Sequence, residues 1–290
     1  MQLPTIRKYR KGALPNLIVI GGQKCGTTSL HYYLGLHPQI LMSREKELDF
    51  FSRELNWHRG IEWYKSHFAG KTMVRGESSP NYTAYPILEG VAERMHSVTG
   101  DIKLVYVVRD PIDRLVSQYI QGYASGRENR TFEDALKHID DTNSYIARSK
   151  YFMQLEQFLD YYPNSNILII TAEDLYGRRV ETLQKIFRFL DVDETFHSDK
   201  FFNLKHTSSE KGRKNRVGLL LKRLSKMDFA RILSTETRMR LGRVFYLPFS
   251  TAIERPVLNE SLRAEIIDYV REDTNRLREY TGCDFERWCI

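Results

Sequence analysis

The sequence has little cysteine, no long apolar run and no low-complexity segment. Its 290 residues include only three cysteines, Cys25, Cys283 and Cys289, which are too few and too unevenly spaced for a disulfide framework. No cluster of cysteine and histidine has zinc-ligand spacing. Apolar stretches such as 17–20 and 104–108 have the length of strands, far below the roughly 20 residues that cross a bilayer. These absences argue against a disulfide-stapled, a zinc-finger or a membrane-spanning protein.

The N-terminus is basic, but it lacks the apolar run and the small-residue cleavage site of a secretion signal. This predicts a cytoplasmic protein. Lys and Arg number 44 against 37 Asp and Glu, a net charge of +7 that attracts anions of many kinds. The basic stretch after residue 211 has neither aromatic interleaving nor zinc-finger spacing, so no nucleic-acid partner is predicted. Oligomeric state cannot be read from this pattern.

Continuous apolar runs alternate with helical patterns along the chain. Strands are predicted at 17–20, 72–76, 103–108 and 166–170, and helices at 27–36, 86–95, 111–123, 151–162 and 180–190. Strands that are apolar on both faces indicate a parallel sheet covered on both sides. The fold class predicted is a P-loop-like three-layer α/β/α arrangement with a central parallel sheet. Without repeats or a flexible linker, we expect one domain over 1–290, with a polar leader at 1–15 and an irregular, partly helical region at 200–290 that completes the donor and acceptor sites.

A glycine-containing loop, GGQKCGTT over residues 21–28, joins the first strand to the first helix. Backbone N–H groups and a helix N-terminus at such a place can cradle a phosphate. Compared with the nucleotide P-loop GxxxxGK[ST], Thr27 stands where the lysine should be, and the lysine is at Lys24. A kinase needs that missing lysine and a metal-binding carboxylate. The loop therefore favours a ligand with a shorter phosphate chain and no required metal, with a P-loop kinase or NTPase as the more distant alternative.

A second anion-binding pattern follows the strongest strand and reads RDPIDRLVSQY over residues 109–119. Arg109 leaves the carboxyl edge of the predicted sheet, where ligands of α/β proteins bind. Ser117 lies eight residues further, in the helix that begins at Pro111, and its hydroxyl can join the arginine on a phosphate oxygen. A basic segment at 211–213, with a glycine that permits close backbone approach and an arginine that can bind phosphate in two places, is a third candidate.

These motifs resemble sulfotransferases that use 3′-phosphoadenosine-5′-phosphosulfate (PAPS), in their heparan-sulfate and bacterial branch. Residues 23–30 resemble the 5′-phosphosulfate loop, 109–119 the 3′-phosphate segment, and 208–213 the SKGR loop that closes over the nucleotide. Residues 43–51 resemble the KExHFF element, and 76–82 resemble a further family segment. The resemblance runs discontinuously from about residue 16 to 288.

The resemblance implies roles for individual residues. Donor contacts would come from Gln23, Lys24, Cys25, Gly26, Thr27, Thr28, Arg109, Ser117, Lys211, Gly212 and Arg213. Lys24 would neutralise charge on the bridging and sulfuryl oxygens, since sulfuryl transfer builds negative charge on the leaving phosphate. Glu47 would be the base on the acceptor hydroxyl, with its pKa raised beside two phenylalanines. Asp49 stands where the family often has histidine, and Glu77 is a secondary candidate that could orient Lys24 or an acceptor hydroxyl.

The resemblance also implies the reaction. PAPS would be the donor, adenosine 3′,5′-bisphosphate the product, and no metal would be required. The acceptor would be a hydroxyl, first on a carbohydrate or glycolipid, with a carrier-bound 3-hydroxyacyl chain or a small metabolite left open. Golgi heparan enzymes carry a cysteine pair before the SKGR loop, and residues 201–211 have none. This difference adds to the expectation of a reducing, cytoplasmic location.

Overall fold

The computed structural model describes residues 11–202, 212–214 and 250–290, with 212–214 and 250–252 described by their backbone alone. Its centre is a parallel sheet of five strands in the order β2-β3-β1-β4-β5. The strands are β1 Leu17–Gly21, β2 Ile40–Met42, β3 Val74–Ser78, β4 Lys103–Val108 and β5 Ile167–Thr171. Every residue of β1 is buried, as are all but the first of β4. The predicted parallel sheet with both faces covered, and with it the α/β fold class, is confirmed.

Helices cover the sheet and lie around its edges. They are α1 Thr27–Leu34, α2 Ile61–Lys65, α3 Val91–Thr99, α4 Pro111–Ala124, α5 Phe132–Ala135, α6 Ser144–Ala147, α7 Tyr151–Leu159, α8 Ala172–Gly177, α9 Arg179–Phe189 and α10 Glu260–Thr281. Short 3₁₀ turns stand at Trp57–Arg59, Ser66–Phe68, Pro80–Tyr82, Asn164–Asn166 and Asp199–Phe202. A two-stranded antiparallel ladder pairs β6 Gly212–Lys214 with β7 Ser250–Ala252. In the described part of the chain, no helix combines the length and the apolar composition that crossing a membrane requires.

The starting residue of the helix predicted over 86–95 was wrong. It begins at Val91, because Gly90 precedes it in the left-handed region with φ 63° and cannot lie inside a right-handed helix. Strand β3 runs two residues later than predicted, and the three-residue strand β2 was not predicted. Its shortness leaves too little pattern to detect.

The long helix α10 is fastened to the central part of the fold by a buried carboxylate. Asp273 accepts hydrogen bonds from the backbone N–H groups of Phe152 (2.9 Å) and Met153 (2.7 Å) in the first turn of α7. A carboxylate at a helix start satisfies donors that have no partner within the helix. Helix α10 itself begins behind Asn259, whose side chain accepts from the N–H of Leu262 at 2.8 Å. The described C-terminal residues are therefore packed against the sheet domain.

Candidate active site

The loops that follow four strands meet at one edge of the sheet, because all strands are parallel and their carboxyl ends coincide. The segment after β2 runs along the end of β3. The N–H of Ser43 donates to the carbonyl of Gly76 (2.8 Å), and that of Glu47 to the carbonyl of Ser78 (3.0 Å). The 43–51 motif and the loop after β1 therefore flank neighbouring strand ends, since β3 is hydrogen-bonded to β1.

The loop after β1 is shaped to accept an anion. Lys24 (φ 71°) and Gly26 (φ 94°) are both in the left-handed region, which turns the chain sharply into α1. Among the described residues, no acceptor meets the N–H groups of Gly26, Thr27 or Thr28. A Cβ on Gly22 would lie 3.0 Å from Cys25 Sγ and 3.1 Å from the carbonyl of Val107, so a larger residue would crowd this approach. Available amides at a helix start form the arrangement that binds phosphate groups.

Two of the predicted loop contacts, Cys25 and Gln23, have side chains that are wholly or partly turned into the protein. The thiol of Cys25 is fully buried, 3.6 Å from the Tyr151 hydroxyl, and burial raises its pKa to about 11. Only the backbone of Cys25 can therefore face a ligand. The side-chain oxygen of Gln23 is buried and has no hydrogen-bond partner within the described ranges.

Helix α4 brings the two predicted anion motifs together. The Lys24 ammonium donates to Oε1 of Gln121 at 2.5 Å, and the Arg109 guanidinium pairs with Asp113 at 2.9 Å. Asp113, Ser117 and Gln121 are four residues apart, so they lie on one face of the helix. Ser117, which is 3% exposed, thus stands between the residues that hold Arg109 and Lys24. The Arg109 guanidinium also reaches the carbonyl of Lys24 at 3.5 Å. The structure therefore brings Lys24, Arg109 and Ser117 together.

The other arginine of this motif has a scaffolding position. Arg114 is completely buried and donates to Ser149 Oγ (2.8 Å), Gln118 Oε1 (2.8 Å) and the carbonyl of Tyr145 (2.6 Å). These contacts hold α6 and the start of α7 against α4. Because the Arg114 guanidinium is buried and donates to these three acceptors, it has no access to a ligand.

Three contacts near the start of α4 were not predicted from the sequence. Arg255 binds the second oxygen of Asp113 at 2.5 Å, so this carboxylate joins two arginines. The backbone N–H of Cys289 donates to Asp110 Oδ2 at 2.6 Å, and the indole of Trp288 reaches Glu173 at 3.4 Å. No local sequence pattern predicts contacts between residues so distant in the chain.

The third predicted donor segment is only partly described. Lys211 lies outside the described residues, while Gly212 and Arg213 are in β6, for which the backbone alone is described. Strand β6 lies beside α4. This places the backbone of Gly212 and Arg213 close to the helix that carries Ser117.

Glu47 lies at the surface of the carboxyl edge. Its side chain is 53% exposed and pairs with the Lys46 ammonium at 2.7 Å. Phe50 and Phe51 are buried instead, and Phe50 stacks on Tyr64 with 4.4 Å between ring centres. The two phenylalanines thus form core beneath the motif and do not enclose the Glu47 carboxylate. Its assignment as base stays a prediction.

Asp49 is the more enclosed of the two carboxylates, with only 9% of the residue exposed. Burial raises the pKa of its carboxyl, and a hydrogen bond from Asn81 (3.1 Å) opposes that rise. Its backbone N–H donates to Ser79 Oγ at 3.0 Å, which fixes its position beside the end of β3. A proton can therefore be held at Asp49 more readily than at an exposed aspartate.

Glu77 has a structural environment. It is fully buried and accepts hydrogen bonds from three hydroxyl groups, those of Tyr64 (2.8 Å), Tyr82 (2.7 Å) and Ser79 (2.6 Å). Burial raises its pKa to about 7, although the hydrogen bonds lower it. None of these described partners is Lys24. The contacts favour the reading of Glu77 as a strand-end carboxylate that organises the core.

His31 was not predicted, although it connects the same elements. Its Nδ1 lies 3.0 Å from Ser78 Oγ and its Nε2 lies 3.1 Å from the carbonyl of Ser43. Burial, aided by the nearby Lys46, lowers its pKa to about 4, so the ring is neutral near pH 7. A neutral ring here links α1 to the ends of β2 and β3.

Comparison with known proteins gives a consistent result. A family model described as "Sulfotransferase domain" matches residues 14–244. Heparan sulfate glucosamine 3-O-sulfotransferase 5 of Mus musculus is 33% identical over 190 residues, which is 62% of this chain and 54% of that protein. The chain thus spans about half the length of that curated relative.

Solved structures share the fold. The crystal structure of a sulfotransferase from Alicyclobacillus acidocaldarius aligns with a TM-score of 0.68 at 24% identity, covering 95% of this chain and 99% of that one. Mouse sulfotransferase SULT7A1 complexed with PAP aligns with a TM-score of 0.50 at 15% identity, covering 92% and 88%. At these identities the likeness concerns the fold alone.

Proposed function

The chain belongs to the sulfotransferase domain family, and from that premise we propose that it transfers a sulfuryl group from PAPS to a hydroxyl of a carbohydrate-containing acceptor. The observation that carries the proposal is the meeting of Lys24, Arg109 and Ser117 along one face of α4. A donor with phosphate groups at both ends needs two separated cationic sites. Lys24 and Arg109 are held by Gln121 and Asp113, which lie two turns apart on α4, and two such positions support a donor of this kind.

The residues present fit the donor. The available amides of Gly26, Thr27 and Thr28 suit an anionic group beside Lys24, and Arg109 with Ser117 suits a second phosphate. When bound, PAPS supplies an activated sulfuryl group, whose departure leaves negative charge on the 5′-phosphate. Lys24 holds its positive charge at the place where that charge would develop, which lowers the barrier without a covalent intermediate.

On the acceptor side, a carboxylate must take the proton of the attacking hydroxyl. We assign this role to Glu47, which lies at the exposed rim of the edge and pairs with the Lys46 ammonium at 2.7 Å. Asp49, two residues on and enclosed, is placed to hold or relay a proton. The names of the heparan sulfate relatives support a carbohydrate as the acceptor.

A screen with labelled PAPS tests this proposal. Glycans, glycolipids, carrier-bound 3-hydroxyacyl chains and small alcohols are incubated with the protein and a metal chelator. Transfer to a carbohydrate hydroxyl is expected, and transfer to the acyl chain alone would replace the proposed acceptor. Phosphoryl transfer from ATP that depends on magnesium would instead favour a kinase. The cytoplasmic location stays a prediction.

A further inference from the structure

Three polar side chains from separate segments meet beside the end of β3. The side chain of Asn81 donates to Asp49 Oδ2 at 3.1 Å and accepts from Arg148 Nη2 at 3.0 Å. Within the described residues, Asp49 and Arg148 form no direct ion pair. The planar amide therefore bridges a carboxylate and a guanidinium.

Each of the two charged groups keeps one buried atom without a partner. These atoms are Asp49 Oδ1 and Arg148 Nη1, both enclosed and both unmatched by any described residue. A buried polar atom without a hydrogen bond costs free energy, more so when the group is charged. One atom can only accept and the other can only donate. The pair is therefore complementary to a ligand that donates to Asp49 and accepts from Arg148.

We propose that Asp49, Asn81 and Arg148 form a subsite that binds two neighbouring hydroxyl groups of a carbohydrate acceptor. The Asn81 amide lies between the carboxylate and the guanidinium, so the two unmatched atoms belong to two neighbouring groups. Two adjacent hydroxyls can each donate and accept, so one can donate to Asp49 Oδ1 while the other accepts from Arg148 Nη1. An acyl chain offers no such pair.

The location supports an acceptor role. Asp49 lies two residues beyond Glu47, and both are anchored to the end of β3 through Ser78 and Ser79. A sugar held at Asp49 and Arg148 would lie beside the proposed base. The inference rests on the proposed function, and it assigns Arg148 and Asn81 to substrate binding.

Saturation-transfer NMR on the protein loaded with adenosine 3′,5′-bisphosphate tests the subsite without turnover. The ligands are methyl glucoside, methyl galactoside and methyl mannoside, with their 2-deoxy and 3-deoxy analogues. The variants are Arg148→Met, Arg148→Lys and Asn81→Ala, and the control is Arg53→Met, which makes the same chemical change at an exposed position. Retained binding of the bisphosphate shows that each variant is folded.

We expect the parent and the Arg53→Met control to bind at least one glycoside, and deoxygenation of the diol to weaken that binding. Arg148→Met should bind about tenfold or more weakly, as expected for losing a charge-assisted hydrogen bond, and Arg148→Lys should recover part of the loss. Parental glycoside binding by both Arg148→Met and Asn81→Ala would overturn the subsite. So would a parent that binds the bisphosphate but no glycoside, whereas a parent that fails to bind the bisphosphate would overturn the proposed function.

Discussion

Replacing Glu77 by glutamine should change how the stability of the protein depends on pH. Burial raises the pKa of Glu77 from 4.5 to about 7. Between these values the folded protein holds a proton that the unfolded chain has released. The stability that this group contributes is fully present below pH 4.5 and is lost as the pH rises through 7. At 1.36 kcal/mol per tenfold change in proton affinity, the loss amounts to ~3 kcal/mol.

His31 should act in the opposite direction. Burial lowers its pKa from 6.5 to about 4, so the unfolded chain takes up a proton that the folded protein refuses. Its contribution is present above pH 6.5 and is lost as the pH falls through 4, again by ~3 kcal/mol. In the parent the two effects oppose each other between pH 4.5 and 6.5. Each single variant should therefore show the pH dependence of stability that comes from the remaining group.

Urea unfolding followed by tryptophan fluorescence at pH 5 and pH 8 measures these effects. From pH 5 to pH 8, the free energy of unfolding of Glu77→Gln should gain about 2–3 kcal/mol relative to the parent. His31→Gln should lose about 2 kcal/mol relative to the parent over the same interval. Glu62→Gln removes a carboxylate that is 70% exposed and is the matched control. A difference between Glu77→Gln and the parent that does not change with pH would refute this account of the buried carboxyl.

Four further substitutions probe the site. Lys24→Ala should lower turnover by about 10²–10³-fold in single-turnover transfer while weakening the binding of adenosine 3′,5′-bisphosphate far less; equal losses would contradict its role. Glu47→Gln should lower transfer by about 10²–10⁴-fold with donor binding intact, and a parental rate for this variant would rule out Glu47 as the base. Asp49→Asn should lower transfer and shift its pH profile. Trp288→Ala should lower the melting temperature and weaken bisphosphate binding, because this residue adjoins the tether on Asp110; an unchanged melting curve would show that the tether is dispensable.

The sequence was enough to predict that Lys24, Arg109 and Ser117 come together. Lys24 and Arg109 follow two strands that are apolar on both faces, and such strands lie parallel in one sheet. Their ends must then share an edge, which brings the two residues together whatever the details of the loops. The same reasoning placed Ser117, because its position in α4 is fixed by the start of the helix at Pro111.

The acceptor side could not be predicted as well, because burial there depends on contacts between distant segments. Phe50 and Phe51 suggested an apolar setting for Glu47, yet both rings turn into the core and the carboxylate is exposed. Asp49 is enclosed through Asn81, which comes from another strand end. The contact between Cys289 and Asp110 spans 179 positions and has no local signal.

Calorimetric titration of adenosine 3′,5′-bisphosphate against adenosine 5′-monophosphate, in the presence of a chelator, tests the central claim most directly. The claim is that Arg109 and Ser117 recognise a 3′-phosphate while the loop around Lys24 holds the 5′-phosphate. The parent should bind the bisphosphate more tightly, and Arg109→Ala and Ser117→Ala should each weaken the bisphosphate while leaving the monophosphate nearly unchanged. If both ligands lose affinity alike, or if the parent binds neither without magnesium, the donor site proposed for this protein is contradicted.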